Sequence, residues 1–357
     1  MLRDSEPVAC DKIIHLAQSA RDDGGTEKIL VTNPVSVSVV VPVYNSARIL
    51  RDLAERLGVS LERAATRFEL VLVNDGSIDA SWGVITELGE AYPWVRGISL
   101  MRNYGQHNAL LCGIRAARYE VIITMDDDLQ HPPEEIPRLL EKLAEGHDVV
   151  YGTPQEERHT VWRAVASRVT KLALQSIMGV ETAKKVSAFR AFRTRLREAF
   201  ASYAGPFVSI DVLLTWGTTR FAASMVRHEP RRVGASHYTF RKLVTHALNM
   251  MTGFGTLPLE LASLVGFAFT GFGVGVLVYV VGRYLIQGTS VPGFAFLASV
   301  IAIFSGAQLF ALGIMGEYLA RIHFRMMQRP TYSVQATTSG TQREPMTEDA
   351  FGQLATR

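Results

Sequence analysis

The chain has little cysteine: two residues in 357, Cys10 and Cys112, far apart and in dissimilar surroundings. That excludes a disulfide framework and a cysteine metal site, and a reducing cytoplasm fits such a composition. Excess charge is also missing. With 37 Lys plus Arg against 34 Asp plus Glu, the formal net charge is +3, so no nucleic-acid partner is expected. Residues 1–30 are mixed polar without an apolar core segment, so no signal peptide is expected, and 1–34 read as a weakly ordered tail. No internal repeat is visible. The most informative absence is local. From Leu261 to Gly282, and again from Tyr284 to Gly316, there is no charged residue.

A spanning helix needs about 20 mostly apolar residues. The two uncharged stretches therefore read as a membrane hairpin, about 258–282 and 293–317, within a segment taken as 257–320. A buried helix pair in a soluble protein is the alternative, but charge-free runs this long are rare there. Arg231, Arg232, Arg241 and Lys242 precede the hairpin, Arg321, Arg325 and Arg329 follow it, and Arg283 alone is assigned to its loop. The positive-inside rule then puts both ends in the cytoplasm. Residues 231–256, aromatic and basic, suit a juxtamembrane helix on the bilayer surface. Gly266, Gly271, Gly273 and Gly275 on one helix, with Gly306, Gly313 and Gly316 on the other, suit close helix contact and self-association. Residues 321–357 are expected to form a polar cytoplasmic tail, free after Pro330.

What precedes the hairpin is patterned differently. Val35–Val41 and Phe68–Val73 are β-branched or apolar runs, each closed by polar residues. Val95–Leu100, Val121–Met125, Asp148–Gly152, Ala188–Phe192 and Ala222–His228 also read as strands, with helical stretches between most of them. This alternation predicts an α/β, Rossmann-like domain over 35–230, with a mostly parallel sheet and helices on both faces.

The centre of the pattern is Tyr119–Pro137. An apolar run stops at Asp126-Asp127-Asp128, followed by Gln130. Oxygen donors at this density suit a hard divalent ion, Mg²⁺ or Mn²⁺, and such ions usually partner phosphates. A solvated acidic turn before a helix would show the same residues, since Pro132-Pro133-Glu134-Glu135 resembles a helix start. Two other strand ends weigh against that. Pro42-Val43-Tyr44-Asn45 closes the first strand and Asn74-Asp75-Gly76-Ser77 the second. In a doubly wound sheet such ends converge on one crevice. Asp75 either reads a base or ribose there, or caps the helix that follows it.

The ordered motifs VSVVVPVYN (37–45), VLVNDGS (71–77) and DDDLQHPPEEIP (126–137) resemble those of the family 2 inverting glycosyltransferases, which carry a GT-A domain. RNYGQHNALLCGI (102–114), FRAFR (189–193), GASHYTFRKL (234–243) and MGEYLARIHFRMMQRPTY (315–332) are similar to the polyprenyl-phosphate branch of that family. The resemblance spans about Val35 to Tyr332, and implies transfer of a sugar from a nucleotide diphosphate, with UDP preferred, to a polyprenyl phosphate of the undecaprenyl type. It implies that Pro42, Tyr44 and Asp75 line the nucleotide pocket, and that Asp126, Asp128 and Gln130 hold the metal, with Asp128 nearest the transferred sugar. Asp127 is left as a bystander. Arg158, Arg163 and Ser167 would sit among phosphates. Arg190 would lie near the site or be structural, and Arg231 or Arg232 with Ser236 would belong to a segment covering it. Homo-oligomers and an inner-membrane location are implied as well.

The chemistry suits these residue types. A lipid phosphate is already anionic and needs little help from a general base. The harder task is to hold two anionic groups together, which a metal and arginines do electrostatically. Three positions depart from the family pattern: Ser46 stands where an acid is common, Lys184 where an Asp is, and His237 where a Lys is. A processive polysaccharide synthase is a second reading, but no Gln-x-x-Arg-Trp occurs and two helices are few for a translocating channel. A catalytically weakened membrane scaffold of the same fold is the third.

Overall fold

Strand β1 (Ser36–Val43) shows how the sequence builds the domain. Its side chains alternate across the sheet, so one chain segment feeds two cores. Val37, Val39, Val41 and Val43 face one side and Val40 the other, all fully buried. A computed structural model describes residues 35–154, 186–205, 207–229, 256–287, 293–327 and 329–338. Within them the elements are β1, α1 (Leu50–Ala64), β2 (Arg67–Asn74), α2 (Ser81–Ala91), β3 (Val95–Leu100), α3 (Gln106–Ala116), β4 (Val121–Thr124), α4 (Ile136–Ala144), β5 (Val149–Pro154), β6 (Arg190–Arg193), α5 (Ile210–Thr215), β7 (Phe221–Val226), α6 (Leu257–Gln287), α7 (Phe294–Met326) and β8 (Val334–Thr337).

The strands form one mixed sheet in the order β7-β5-β6-β4-β1-β2-β3-β8. β1 is central and parallel to both β2 and β4, with Val39 between Leu70 and Ile123. Helices α1, α2 and α4 cover one face through Leu53, Leu57, Ile85 and Leu139. Helices α3 and α5 cover the other through Leu111, Ile114, Ile210 and Leu213. The contact of α3 is the closest. A Cβ on Gly113 would lie 2.3 Å from Val40 Cγ1 and 3.0 Å from Val73 Cγ2, so only glycine lets this helix sit flush on the strands.

Three expectations change. The sheet is less parallel than the alternation suggests, because β6 runs antiparallel to both β4 and β5, and β8 antiparallel to β3. The chain after Pro330 is not free as far as it is described: β8 pairs with the edge of β3, where backbone hydrogen bonds suffice and no apolar run is needed. Arg283 is not in a loop but in the last turns of α6, its guanidinium bonded to the Tyr279 hydroxyl at 3.2 Å. A long aliphatic stem allows a charge at a helix end.

Helices α6 and α7 have 31 and 33 residues, and Pro258–Ile286 and Ile303–Met326 are long and apolar enough to cross a membrane. They meet through Phe304, whose ring lies 5.7 Å from that of Phe269 and against Gly273. The other six glycines expected to mediate helix contact have open space on their Cα faces, so among the described residues only Gly273 serves that purpose. Large apolar side chains such as Phe267, Leu285 and Leu309 are more than two-thirds exposed. Contiguous apolar surface of this kind belongs in lipid rather than in water.

Candidate active site

The C-terminal ends of β1, β2, β3 and β4 open on one cavity of about 260 Å³. It is lined by Pro42, Val43 and Tyr44 from the first end, Asp75 from the second, Asn103, Gly105 and Gln106 from the third, and Asp126, Asp127 and Asp128 from the fourth. Pro42, Tyr44, Asp75, Asp126 and Asp128 are thus brought together. Gln130 is adjacent but does not line the cavity. Its amide donates to Asp128 Oδ1 at 3.1 Å and its carbonyl accepts from the Glu229 amide at 2.8 Å. Arg158, Arg163, Ser167, Arg231, Arg232 and Ser236 lie outside the described residues, as do Lys184 and His237.

Local hydrogen bonds shape the cavity walls. The loop after β1 is stapled to the loop after β2. Asn45 Oδ1 accepts from the Ile78 amide, and the amides of Asn45, Ser46 and Ala47 donate to Ser77, Ser81 and Asp79, all within 2.9–3.1 Å. Asn45 takes a left-handed backbone, φ 56°, which Asn tolerates better than most residues. Leu129 has the same φ, 56°, and is fully buried. Its conformation is unfavourable for a branched side chain, and burial holds it there. The resulting turn presents Asp126 and Asp128 to the cavity.

Asp75 does not cap α2. Its carboxylate accepts the Tyr104 amide at 2.7 Å and the Gly105 amide at 2.8 Å. Burial raises its pKa and these two amides oppose the rise. It is therefore both a wall of the pocket and the anchor of the loop after β3. Gly76, φ 65°, lets that loop close in, since a Cβ there would fall 2.5 Å from the Arg102 and Asn103 backbone. Asp127, expected to stand aside, also lines the cavity. Burial raises its pKa, against the Ser46 hydroxyl and the Tyr44 backbone, which lower it. Ser46 thus faces Asp127.

Sequence reasoning missed Asn103, Gly105 and Gln106. Gln106 Nε2 donates to Asp126 Oδ1 at 2.5 Å. The signal was Gly105 itself, whose φ of 94° turns the chain into α3. Arg190 is 2% exposed. It pairs with Asp211 and donates to Thr124 Oγ1 at 2.9 Å, so it lies beneath β4 rather than in the cavity. His131 stacks on Phe189 at 5.4 Å with His228 5.1 Å away. Desolvation, then the neighbouring His228, lowers its pKa to about 4.

A larger cavity, about 410 Å³, lies at the opposite end of the sheet and is lined by residues such as Glu120, Asp148, Arg193 and Arg220. There Asp148 already pairs with both Arg195 and Arg220, at 2.9 and 2.8 Å. The strand ends carrying the motifs do not reach it, so the smaller cavity is the candidate active site.

The donors in that smaller cavity are carboxylate oxygens with an amide oxygen nearby. This set fits a hard divalent ion whose remaining positions are filled by water or phosphate oxygens. Sheet, crevice and acidic strand end define a GT-A glycosyltransferase domain.

The matching family and the relatives similar in sequence agree. Residues 38–203 match the family described as Glycosyl transferase family 2. The undecaprenyl-phosphate 4-deoxy-4-formamido-L-arabinose transferase of Klebsiella pneumoniae (strain 342) is 35% identical over 302 residues, covering 84% of this chain and 92% of that protein. The protein of the same name from Shewanella sediminis (strain HAW-EB3) is 36% identical over 303 residues, covering 84% and 91%. Glucosyl-3-phosphoglycerate synthase from Mycobacterium tuberculosis, solved with Mn²⁺, UDP-glucose and phosphoglyceric acid, is similar with a TM-score of 0.48 and 16% identity, over 61% of this chain and 78% of that one. This chain belongs to glycosyl transferase family 2 and is a glycosyltransferase with membrane helices.

Proposed function

We propose that this enzyme transfers a sugar, with inversion, from a UDP-sugar to undecaprenyl phosphate at the cytoplasmic face of the inner membrane. One observation carries the reading: Tyr44, Asp75, Asp126 and Asp128, from three strand ends, line one cavity, in a chain 35% identical to an undecaprenyl-phosphate sugar transferase along nearly all of that protein. Tyr44, 48% exposed, offers a ring face to the base. Asp75 and Asp127 offer acceptors to base or ribose hydroxyls.

Asp126, Asp128 and Gln130 would hold Mg²⁺ or Mn²⁺, which when bound would neutralise the diphosphate leaving group. Gln106 orients Asp126 by its amide, and the Gln130 amide orients Asp128. The lipid phosphate oxygen attacks the anomeric carbon as the bond to the nucleotide diphosphate breaks. The role of the protein is to align the two anionic groups and to stabilise the charge that departs. Arg158, Arg163, Ser167 and Ser236 are proposed to meet phosphates. Support for the last comes from Glu229, after which the segment carrying Arg231, Arg232 and Ser236 begins, and whose amide is bonded to Gln130.

The proposed organisation is a catalytic domain over 35–230, a juxtamembrane segment over 231–256 and a two-helix hairpin over 257–320, with both termini cytoplasmic. The outward glycine faces of the hairpin are proposed to support self-association. The test is incubation of full-length protein and undecaprenyl phosphate with UDP- and GDP-sugars, including the UDP-linked 4-deoxy-4-formamido-L-arabinose, with and without Mn²⁺, followed by mass measurement of the lipid. A glycosylated lipid monophosphate is expected only with metal. Asp128→Asn is expected to lower the rate at least about a hundredfold, the scale of losing one transition-state charge partner. Transfer by Asp128→Asn at the wild-type rate would overturn the site assignment.

A further inference from the structure

The described chain ends on the catalytic sheet, and it arrives there beside the nucleotide pocket. β8 pairs antiparallel with β3, Val334 opposite Leu100 and Thr337 opposite Ile98. It therefore enters at the end of the sheet where the strands deliver the pocket and runs away from it. Residues 327–333 alone separate α7 from β8, a span that reaches at most about 25 Å when extended. The second apolar helix is thus tied closely to the pocket edge of the sheet.

The contacts made on the way in are specific. The Ser333 carbonyl accepts the Met101 amide at 3.0 Å. Ser333 and Arg102, which face the Tyr104 hydroxyl, hold its pKa below the ordinary tyrosine value. The Arg102 guanidinium lies over the Tyr104 ring at 4.7 Å. Tyr332 packs against the core residues beneath α3, and the Arg115 guanidinium lies over its ring at 5.8 Å. Thr338 closes the far end, its Oγ1 accepting the Gly97 amide at 2.6 Å and its amide donating to the Gly97 carbonyl at 2.9 Å. The segment clamped by Ser333 is Met101–Tyr104, and the next two amides, of Tyr104 and Gly105, are those that fix Asp75. Gly105 in turn starts α3, whose first residue, Gln106, bonds Asp126.

We propose that Tyr332–Thr338 is a positioning strap for the donor site: through Ser333 it sets the loop that holds Asp75 and Gln106, and so makes nucleotide affinity depend on the segment leaving the second apolar helix. The inference rests on the nucleotide-sugar reading above. Covering the β3 edge against other chains would also explain an extra strand, but that role needs no bond from the Met101 amide, beyond β3, to Ser333. The strap residues are positioning residues; they do not line the cavity.

The experiment measures binding of UDP and of GDP, each with Mn²⁺, to full-length wild type, Ser333→Ala, Tyr104→Phe, the double variant, and a chain ending at Arg329. Melting temperature is recorded for each. Losing the side-chain contact between Ser333 and Tyr104 is expected to raise the Kd for UDP about fivefold in either single variant. The double variant is expected to match the singles, because the same contact is lost in all three, and the shortened chain, which also loses the Met101–Ser333 bond, is expected to bind more weakly still. Donor KM should rise in step with Kd for Ser333→Ala, with the melting temperature unmoved. Wild-type affinity for UDP in all variants overturns the strap while leaving the donor reading intact. A fall in melting temperature that tracks the weaker binding of Ser333→Ala also overturns it, in favour of a purely structural strand. Wild type that binds neither nucleotide overturns the donor reading itself, and the strap with it.

Discussion

Replacing Arg190 with Met separates a structural arginine from a phosphate-binding one. Arg190 is 2% exposed and Asp211 6%, and the two form an ion pair beneath the end of β4. Thr124 accepts from the guanidinium at 2.9 Å and the Tyr151 hydroxyl donates to Asp211 at 3.1 Å. Removing the cation leaves a carboxylate in the core with one tyrosine for company. Breaking a buried pair from one side costs about 3–5 kcal/mol, mostly the penalty of the stranded charge. For a domain of roughly 200 residues, each kcal/mol moves the melting temperature by about 2–4 °C. Arg190→Met should therefore lower it by about 6–20 °C, and Asp211→Asn by less, because the amide still accepts from Arg190. The double variant Arg190→Met, Asp211→Leu removes both charges and should recover most of the loss. The assay is thermal unfolding of the detergent-solubilised protein followed by near-ultraviolet circular dichroism, beside sugar transfer measured at 15 °C, where each variant is folded. If Arg190→Met melts within 2 °C of wild type yet transfers no sugar, Arg190 acts on substrate and the argument fails.

Two further outcomes are expected. Gly113→Ala should destabilise by about 1–3 kcal/mol, because its new methyl meets β-branched residues fixed on two strands. Val40→Ala added to it should restore part of the melting temperature, whereas restoration by any distant core truncation would show that the clash is not local. Asp148, at the far end of the sheet, has its pKa held well below the ordinary carboxylate range, first by its bonds to Arg220 and then by Thr218 and Arg195, against the cost of burial. A depressed folded pKa means that the unfolded chain takes up the proton first as pH falls. Its stabilisation is complete above the unfolded carboxylate pKa of about 4 and is lost progressively below it. Melting profiles from pH 6 to pH 2.5 should therefore be flatter for Asp148→Asn than for wild type. The difference should shrink in 0.5 M salt, since Arg195 and Arg220 are 66% and 57% exposed. Parallel profiles would remove Asp148 from the acid response.

The sequence shows where chemistry leaves the sheet more clearly than which way the backbone then turns. Pro42, Tyr44, Asp75, Asp126 and Asp128 are legible because each ends or follows a buried β-branched run, and parallel strands deliver such ends to one edge. Asn103 and Gln106 are not legible, because the loop after β3 is polar throughout and its direction depends on Gly105 at φ 94°. The position of β6 is hidden for another reason. Arg190–Arg193 is four residues long, and so short a segment encodes no neighbour; its place between β5 and β4 is set by connections elsewhere. β8 is hidden because an edge strand with exposed Val334 and Gln335 is held by backbone bonds, which every sequence possesses.

Ser46 and Asp127 show how one geometric fact can join two separate readings. In the sequence, Ser46 was a missing acid and Asp127 a superfluous one. In the fold they face each other between the first and fourth strand ends, where the Ser46 hydroxyl lowers the Asp127 pKa against the effect of burial. Burial and the neighbouring Asp128 already raise the Asp127 pKa, so an acid at position 46 would set another negative charge against a carboxylate that is costly to ionise. A hydroxyl there adds no charge: it donates to the Tyr44 carbonyl at 3.2 Å and lowers the Asp127 pKa rather than raising it. The serine therefore spares Asp127 a further negative neighbour beyond Asp128.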